Sequence, residues 1–252
     1  MTIPHLVAHR GQMEHYPENT LVSLEAALEC GAKYIEFDVQ STVDGQLVVF
    51  HDSELKRTTG VTGNLLEMSL QDLESIRAHE PARFSLAFFN QHIPTLSDVI
   101  GLLQQYPKAS AFVEIKEESL QHFGTDQVMA NLLKQLEIVH QQCVIISFEA
   151  DAIAYVRQHS DFPCGWVLYE YDDKSLIQAQ QLKPDYLIVN HRKIPSNQEP
   201  LAGDWHWMVY DITDPELALH YASFNILLIE SRDICTLLEH PLLALNSINH
   251  DL

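Results

Sequence analysis

The sequence predicts a (β/α)8 barrel of the TIM type, and three observations carry that expectation. Short β-rich runs recur along the chain, segments of helical period lie between most of them, and the alternation extends over 252 residues, which suits one closed barrel around one large core. Apolar residues make up 46% of the chain, and no linker-like stretch interrupts it. Residues 1–252 are therefore expected to form a single α/β domain.

The β-rich runs fall at 5–9, 34–39, 47–50, 112–116, 143–147, 165–169, 186–190, 206–210 and 226–230. Several are apolar almost throughout, as strands covered on both faces tend to be. The first ends in His9-Arg10-Gly11, where Gly11 permits a sharp turn. Pro17-Glu18-Asn19-Thr20 follows as a turn and a cap for a helix over 21–28. Runs 34–39 and 47–50 are too close for a helical crossover, and Asp44-Gly45 marks a turn between them. An antiparallel hairpin would set Asp38 across from His51, while an extended return down the outside would bring both to one rim. Residues 52–93 hold no strand and contain Gly60, Gly63, Asn64 and an aromatic patch at Phe84, Phe88 and Phe89. A stretch of that length next to candidate site residues is expected to be an inserted lid, helical from Ser69 to Ile76. Further helical periods cover 96–103, 128–136 and 150–156. Nine runs are one too many for eight strands, and 226–230 is expected to lie outside the barrel.

Thirty-five acidic residues against 15 basic ones give a formal charge of −20. A field of that sign repels nucleic acid and anionic membrane, so neither is expected as a partner. It also repels anionic substrates, so phosphate chemistry would need a local positive centre such as a bound cation. Cys30, Cys143, Cys164 and Cys235 form no C-x-x-C pair and no dense framework, which suggests reduced thiols, no zinc site and a cytoplasmic protein. No run approaches a membrane span, and the N-terminal residues do not read as a signal peptide.

Several charged residues sit at strand-end spacings. Glu36 and Asp38 are two apart on one strand and so share a face, which in a barrel is the interior, while Ile35, Phe37 and Val39 face the helices. Two inward carboxylates need a cation nearby. Glu114 and Lys116 repeat the spacing in Phe112-Val-Glu-Ile-Lys, and Glu114 completes a three-carboxylate set whose all-oxygen ligation suits Mg2+ or Ca2+. His9 and His51 each close an apolar run, and imidazole carries protons near neutrality. Arg10 supplies a fork for a phosphate oxygen. Phe148, Trp166 and Trp207 are further candidates for contact with the glycerol or the alcohol, with core packing the alternative for each.

Taken together, His9-Arg10-Gly11, Pro17-Glu-Asn-Thr20, Gly31-Ala32, Ile35-Glu-Phe-Asp-Val39, Thr42-x-Asp44-Gly45, Val48-Val49-x-His51-Asp52, Leu55-x-Arg57-Thr58-Thr59, Ile93-Pro-Thr-Leu96 and Glu114-Ile-Lys116 resemble the glycerophosphodiester phosphodiesterase family. The match runs in order over residues 6 to 116. It implies a TIM barrel related to phosphatidylinositol-specific phospholipases C, with a small insertion after the early strands. It also implies metal-dependent hydrolysis of glycerophosphodiesters, such as glycerophosphocholine or glycerophosphoethanolamine, to sn-glycerol 3-phosphate and an alcohol. Carried over by position, Glu36, Asp38 and Glu114 match the family's metal ligands for one divalent cation, Mg2+ or Ca2+. His9 and His51 match its acid/base pair and Arg10 and Lys116 its phosphate contacts, while Ser147-Phe148 fits a family position and Trp207 the tryptophan of its late strand.

Beyond Lys116 the likeness thins. The usual W-T-V-N is Trp207-Met-Val-Tyr210, and the closing G-x-D-G-I-x-T-D is Ser223-Phe-Asn-Ile-Leu-Leu-Ile-Glu230. These departures leave the metal and proton-transfer set whole but leave the preferred alcohol open, as they do the oligomeric state. Two other readings are compatible with a barrel of this kind: an aldolase or lyase using Lys116 as a Schiff-base amine, and a non-catalytic glycerophosphodiester-binding protein.

Overall fold

The computed structural model describes residues 3–195 and 199–244. Eight parallel strands close into a barrel in the order β1 (His5–Ala8), β2 (Tyr34–Ser41), β4 (Ser110–Ile115), β5 (Cys143–Ser147), β6 (Cys164–Leu168), β7 (Tyr186–Asn190), β8 (His206–Tyr210) and β9 (Leu228–Ser231), with β9 returning to β1. The remaining strand, β3 (Leu47–Val49), is antiparallel to β2, with Val39 opposite Val49 and Ser41 opposite Leu47.

The extra strand is thus β3, not the 226–230 run, which corrects the sequence expectation. Without β9 there would be nothing to bridge β1 and β8, whereas the five residues between β2 and β3 can close only a hairpin.

Alternation along each strand separates two kinds of packing. Val7, Tyr34, Phe112, Val144, Ile146, Val167, Ile188, Met208 and Leu228 form one buried cluster inside the barrel. Residues of the other phase, Ile35, Phe37, Val39, Val113, Ile145, Leu187 and Val209 among them, pack in the larger core shared with the helices. Following the inward phase past the apolar plug leads to His9, Glu36, Asp38, Glu114, Lys116, Tyr210 and Glu230 at the C-terminal ends of the strands. The face where loops are free to vary therefore receives the charges.

The first crossover helix, Leu21–Glu29, is capped by the Thr20 hydroxyl, which accepts from Ser23 N. That leaves the neighbouring Asn19 side chain available for the site. Helix Leu96–Gln105 opens with a reciprocal Thr95/Asp98 capping box. Residues 52–93 connect β3 to this helix through short helices Lys56–Thr59, Leu70–Leu73 and Pro81–Phe84. The middle one, capped by Ser69, is shorter than the Ser69–Ile76 expectation. The insertion has a core of its own, in which Leu55, Leu65, Leu66, Leu73 and Ile76 gather on Val48, Phe50 and Ile93.

Cys30 and Cys235 form a disulfide, against the expectation of reduced thiols throughout. They are 205 residues apart in sequence. Barrel closure makes them neighbours, because β1 pairs with β9 and the segments that follow those strands share one flank. Cys143 and Cys164 are free and buried. Among the described residues no helix is long and apolar enough to cross a membrane.

Candidate active site

The ends of β1, β2, β4, β5, β8 and β9 and the β2–β3 hairpin build the site. After β1 the chain turns through two residues of positive φ, Arg10 (53°) and Gly11 (81°). A side chain at Gly11 would put its Cβ 2.4 Å from the Ser23 carbonyl carbon, so only glycine lets the turn pass this close to the first crossover helix. The turn aims Arg10 N at Glu36 Oε2 (3.0 Å) and the guanidinium at two carboxylates, Nε to Asp38 Oδ2 at 3.0 Å and a terminal nitrogen to Glu18 Oε1 at 2.8 Å. Asn19, also at positive φ, holds Asp38 twice: its amide nitrogen donates to Oδ2 at 2.8 Å, and its oxygen accepts Asp38 N at 3.1 Å.

Strand register places Asp38 of β2 beside Glu114 of β4. Glu36, Asp38 and Glu114 each offer an oxygen within 4.8 Å of the others, and all three side chains are buried. Lys116, just past β4, donates to Glu114 Oε1 at 2.7 Å and lies 3.6 Å from Asp38 Oδ1. The β2–β3 hairpin realises the antiparallel alternative: Phe50 N donates to the Asp38 carbonyl. His51 is the next residue, with its carbonyl held by Gln40 Nε2. Its ring meets Lys116 Nζ at Nε2 (3.3 Å) and Asp52 Oδ1 at Nδ1 (2.5 Å).

A cavity of about 200 Å³ at the barrel mouth is lined by His9, Arg10, Glu36, His51, Glu114 and Lys116, with Phe148, Tyr210, Asp211 and Glu230 on its other side. The structure therefore brings together His9, Arg10, Glu36, Asp38, His51, Glu114, Lys116 and Phe148. It does not bring Trp207 to the cavity. That side chain has the outward phase of β8, packs in the helix-side core and donates to the Leu201 carbonyl. Tyr210, three residues on, lines the cavity instead.

Glu230 of β9, seen in the sequence only as the end of a divergent motif, is 4% exposed and has a ligand atom within 4.8 Å of those of His9 and Glu36. Its inward phase on an apolar strand was the available signal. Glu18, Asn19 and Arg57, seen in the sequence only as parts of a turn, a cap and a family motif, form the polar surround.

Burial sets the electrostatics. It pushes Glu36 well above the usual carboxylate range, with the charges of Asp38, Glu230 and Glu114 adding to the effect. Glu114 and Glu230 are raised in the same direction, by burial first. Burial would raise Asp38 too, but Arg10, His51, Lys116 and the Asn19 hydrogen bond outweigh it and hold Asp38 well below the usual range. His9 is lowered to about 3 by burial and then by Arg10.

Four buried carboxylates against Arg10 and Lys116 leave negative charge uncompensated, and Glu36 Oε1 is buried without a hydrogen-bond partner. A hard divalent cation fits both features, since an all-oxygen set is its preferred environment.

The family model described as the glycerophosphoryl diester phosphodiesterase family matches residues 9–196. A glycerophosphodiester phosphodiesterase of Caldanaerobacter subterraneus subsp. tengcongensis is 31% identical over 153 residues, which is 61% of each chain, so the chain spans about three fifths of that relative. Among solved structures, an Oleispira antarctica phosphodiesterase in complex with the product sn-glycerol-3-phosphate has a TM-score of 0.82 at 24% identity, covering 93% of this chain and 95% of that one. A crystal structure from Silicibacter pomeroyi DSS-3, described as a putative glycerophosphoryl diester phosphodiesterase, has a TM-score of 0.83 at 20% identity over 98% and 95%. At these identities the two structures share the barrel fold.

Proposed function

The chain belongs to the glycerophosphoryl diester phosphodiesterase family, and from that premise we propose that it hydrolyses glycerophosphodiesters, such as glycerophosphocholine or glycerophosphoethanolamine, to sn-glycerol 3-phosphate and an alcohol. The observation that carries this reading is the convergence of two imidazoles, three carboxylates and two fixed cations on one cavity at the barrel mouth.

Glu36, Asp38 and Glu114 would hold one divalent cation, Mg2+ or Ca2+. Bound there, it would supply the positive charge that polarises a phosphodiester and lowers the pKa of a nearby hydroxyl. Arg10 and Lys116 flank the same space and stabilise negative charge that develops on the phosphoryl oxygens. His9, kept uncharged by burial and by Arg10, takes the proton from the attacking oxygen, which is either the glycerol 2-hydroxyl or a water. As the new P–O bond forms, the P–O bond to the alcohol breaks, and His51 gives that oxygen its proton. If the 2-hydroxyl attacks, a cyclic phosphate results, and water opens it with the two imidazoles exchanging roles.

Phe148 forms an apolar wall, with its ring centroid 5.8 Å from Lys116 Nζ. Residues 52–93 are read as the lid on the His51 side. The Lys116 ammonium is stabilised by Glu114 and Asp38, which raise it above its ordinary value. That leaves little of the free amine an aldolase would need.

The cytoplasmic setting is proposed on cysteine spacing and on N-terminal residues that do not read as a signal peptide, and the Cys30–Cys235 disulfide stands against it. Alkylation at lysis that finds Cys30 and Cys235 oxidised in the native host would contradict it.

The direct test is to incubate the purified protein with either ester and Mg2+ or Ca2+ and to detect glycerol 3-phosphate. Product is expected, and turnover of the ethanolamine ester should fall about 100-fold or more in His51→Ala. Absence of product from both esters with both metals overturns the reading.

A further inference from the structure

The Arg57 guanidinium belongs to the first helix of the insertion and reaches two acids on different parts of the barrel rim. On one side it donates to Glu18 through both terminal nitrogens, at 2.6 and 2.8 Å. On the other it donates to Asp52 through Nε at 2.6 Å and a terminal nitrogen at 3.0 Å. Each acid leads on to the site. Glu18 is also bound by Arg10, and Asp52 holds His51 at Nδ1. The contacts form one continuous chain: His51, Asp52, Arg57, Glu18, Arg10, Asp38. Its two ends are the proposed proton donor and a proposed cation ligand, and the insertion supplies the links Asp52 and Arg57, of which Arg57 crosses to Glu18.

We infer that Arg57 is a positioning residue for the hydrolysis, fixing His51 relative to Arg10 by clamping Asp52 and Glu18 in a single planar fork. The inference rests on the functional reading above. Stability is a poor explanation for the Asp52 half of the arrangement, because the Arg57 and Asp52 side chains are 46% and 25% exposed and exposed ion pairs contribute little. Geometry is a better one, since a guanidinium that binds two carboxylates bidentately fixes their separation and planes as no ammonium can.

The surroundings brace the clamp. Glu80, elsewhere in the insertion, accepts Glu18 N at 2.6 Å, and its own N donates to the Thr58 carbonyl next to Arg57. Arg83 binds the carbonyls of Met13 and Glu14 in the β1 loop. The insertion thus grips the loop that carries Arg10 from three places, and of these Arg57 is the one that also bonds Asp52, which holds His51.

The test compares two substrates. Glycerophosphoethanolamine needs a proton on its departing alcohol, whereas a p-nitrophenyl diester of glycerol phosphate releases a phenolate that needs none. In Arg57→Gln, kcat on the ethanolamine ester is expected to fall about 100-fold and kcat on the nitrophenyl ester no more than about 10-fold, a misplaced general acid being felt only where a proton is required. Asp52→Asn should show the same split, Glu18→Gln should lower both substrates alike, and Arg57→Gln/Asp52→Asn should be no slower than about threefold below the worse single variant. Arg57→Lys should not restore the ethanolamine rate.

Equal losses on the two substrates, additive effects of Arg57 and Asp52, or full rescue by lysine overturn the inference while leaving the activity assignment in place. If Arg57→Gln does not fold, Arg57→Lys decides: the same split between the two substrates supports the inference, and a full ethanolamine rate overturns it. A wild-type protein inactive on both esters removes the functional reading, and this inference with it.

Discussion

Glu18 shows how one side chain can be structural and electrostatic at once. It is 4% exposed between two guanidinium groups. Burial alone would raise its pKa, but the Arg57 hydrogen bonds and the charges of Arg10 and Arg57 lower it from 4.5 to about 2. A depressed carboxyl stabilises the fold above its ordinary value, and that contribution is lost as pH falls through about 2. Glu18→Gln should therefore melt lower at neutral pH and show a flatter loss of stability between about pH 5 and pH 2. The full contribution is on the order of 3 kcal/mol, and parallel melts of the two proteins across that range measure it. A wild-type curve no steeper than that of the variant contradicts the pairing. Position and residue type made Glu36, Asp38, Glu114, His9 and His51 legible in the sequence. Glu18 and Arg57 were not legible in the same way, because nothing local to Pro17-Glu18 or Leu55-x-Arg57 says that the two meet.

Period-2 alternation was the most informative signal at the level of the strand. It put Glu36 and Asp38 on the face opposite Ile35, Phe37 and Val39, as the structure has them. Carried through to β8 and β9, the same phase excludes Trp207 from the cavity and admits Tyr210 and Glu230. Family position favoured Trp207, and geometry does not support it. Counting strands was less informative, because a run of apolar residues cannot state whether it closes a barrel or returns as a hairpin. The distinction between β3 and β9 lay in connection length. Turns carry their own constraint. Gly11→Ala would face both a φ of 81° and a 2.4 Å approach to Ser23. It should cost on the order of 2 kcal/mol and displace Arg10 N from Glu36. Chemical denaturation and the kcat on glycerophosphoethanolamine should both register it, and an alanine variant unchanged in either would refute the account of this turn.

Two features act on the whole molecule. The Cys30–Cys235 bridge joins the end of the first crossover helix to the last described helix, Ile234–Glu239, across the β1–β9 seam. A cross-link over so long a segment chiefly restricts the unfolded chain. Cys30→Ser with Cys235→Ser should lower stability by about 2–4 kcal/mol with little change in turnover, because neither cysteine lines the cavity. The second feature is the surplus of buried acid at the mouth. Glu36, Glu114 and Glu230 have folded-state values above their ordinary ones, so without a cation they oppose folding increasingly as pH rises through those values. A bound cation relieves this, and its stabilisation should grow with pH as the ligands lose their protons. Melting the protein with and without Mg2+ across a pH series that rises from the ordinary carboxylate range should show an increment that grows with pH. Equal increments would count against ionised carboxylate ligands.

The proposed hydrolysis depends on a divalent cation held by Glu36, Asp38 and Glu114. The most direct measurement is glycerol 3-phosphate release from glycerophosphoethanolamine by protein stripped with EDTA and then titrated with Mg2+ or Ca2+. Turnover should be lost on stripping and return with saturable dependence on one of the two metals, and Glu36→Gln should weaken that dependence. Undiminished turnover in EDTA would contradict the account.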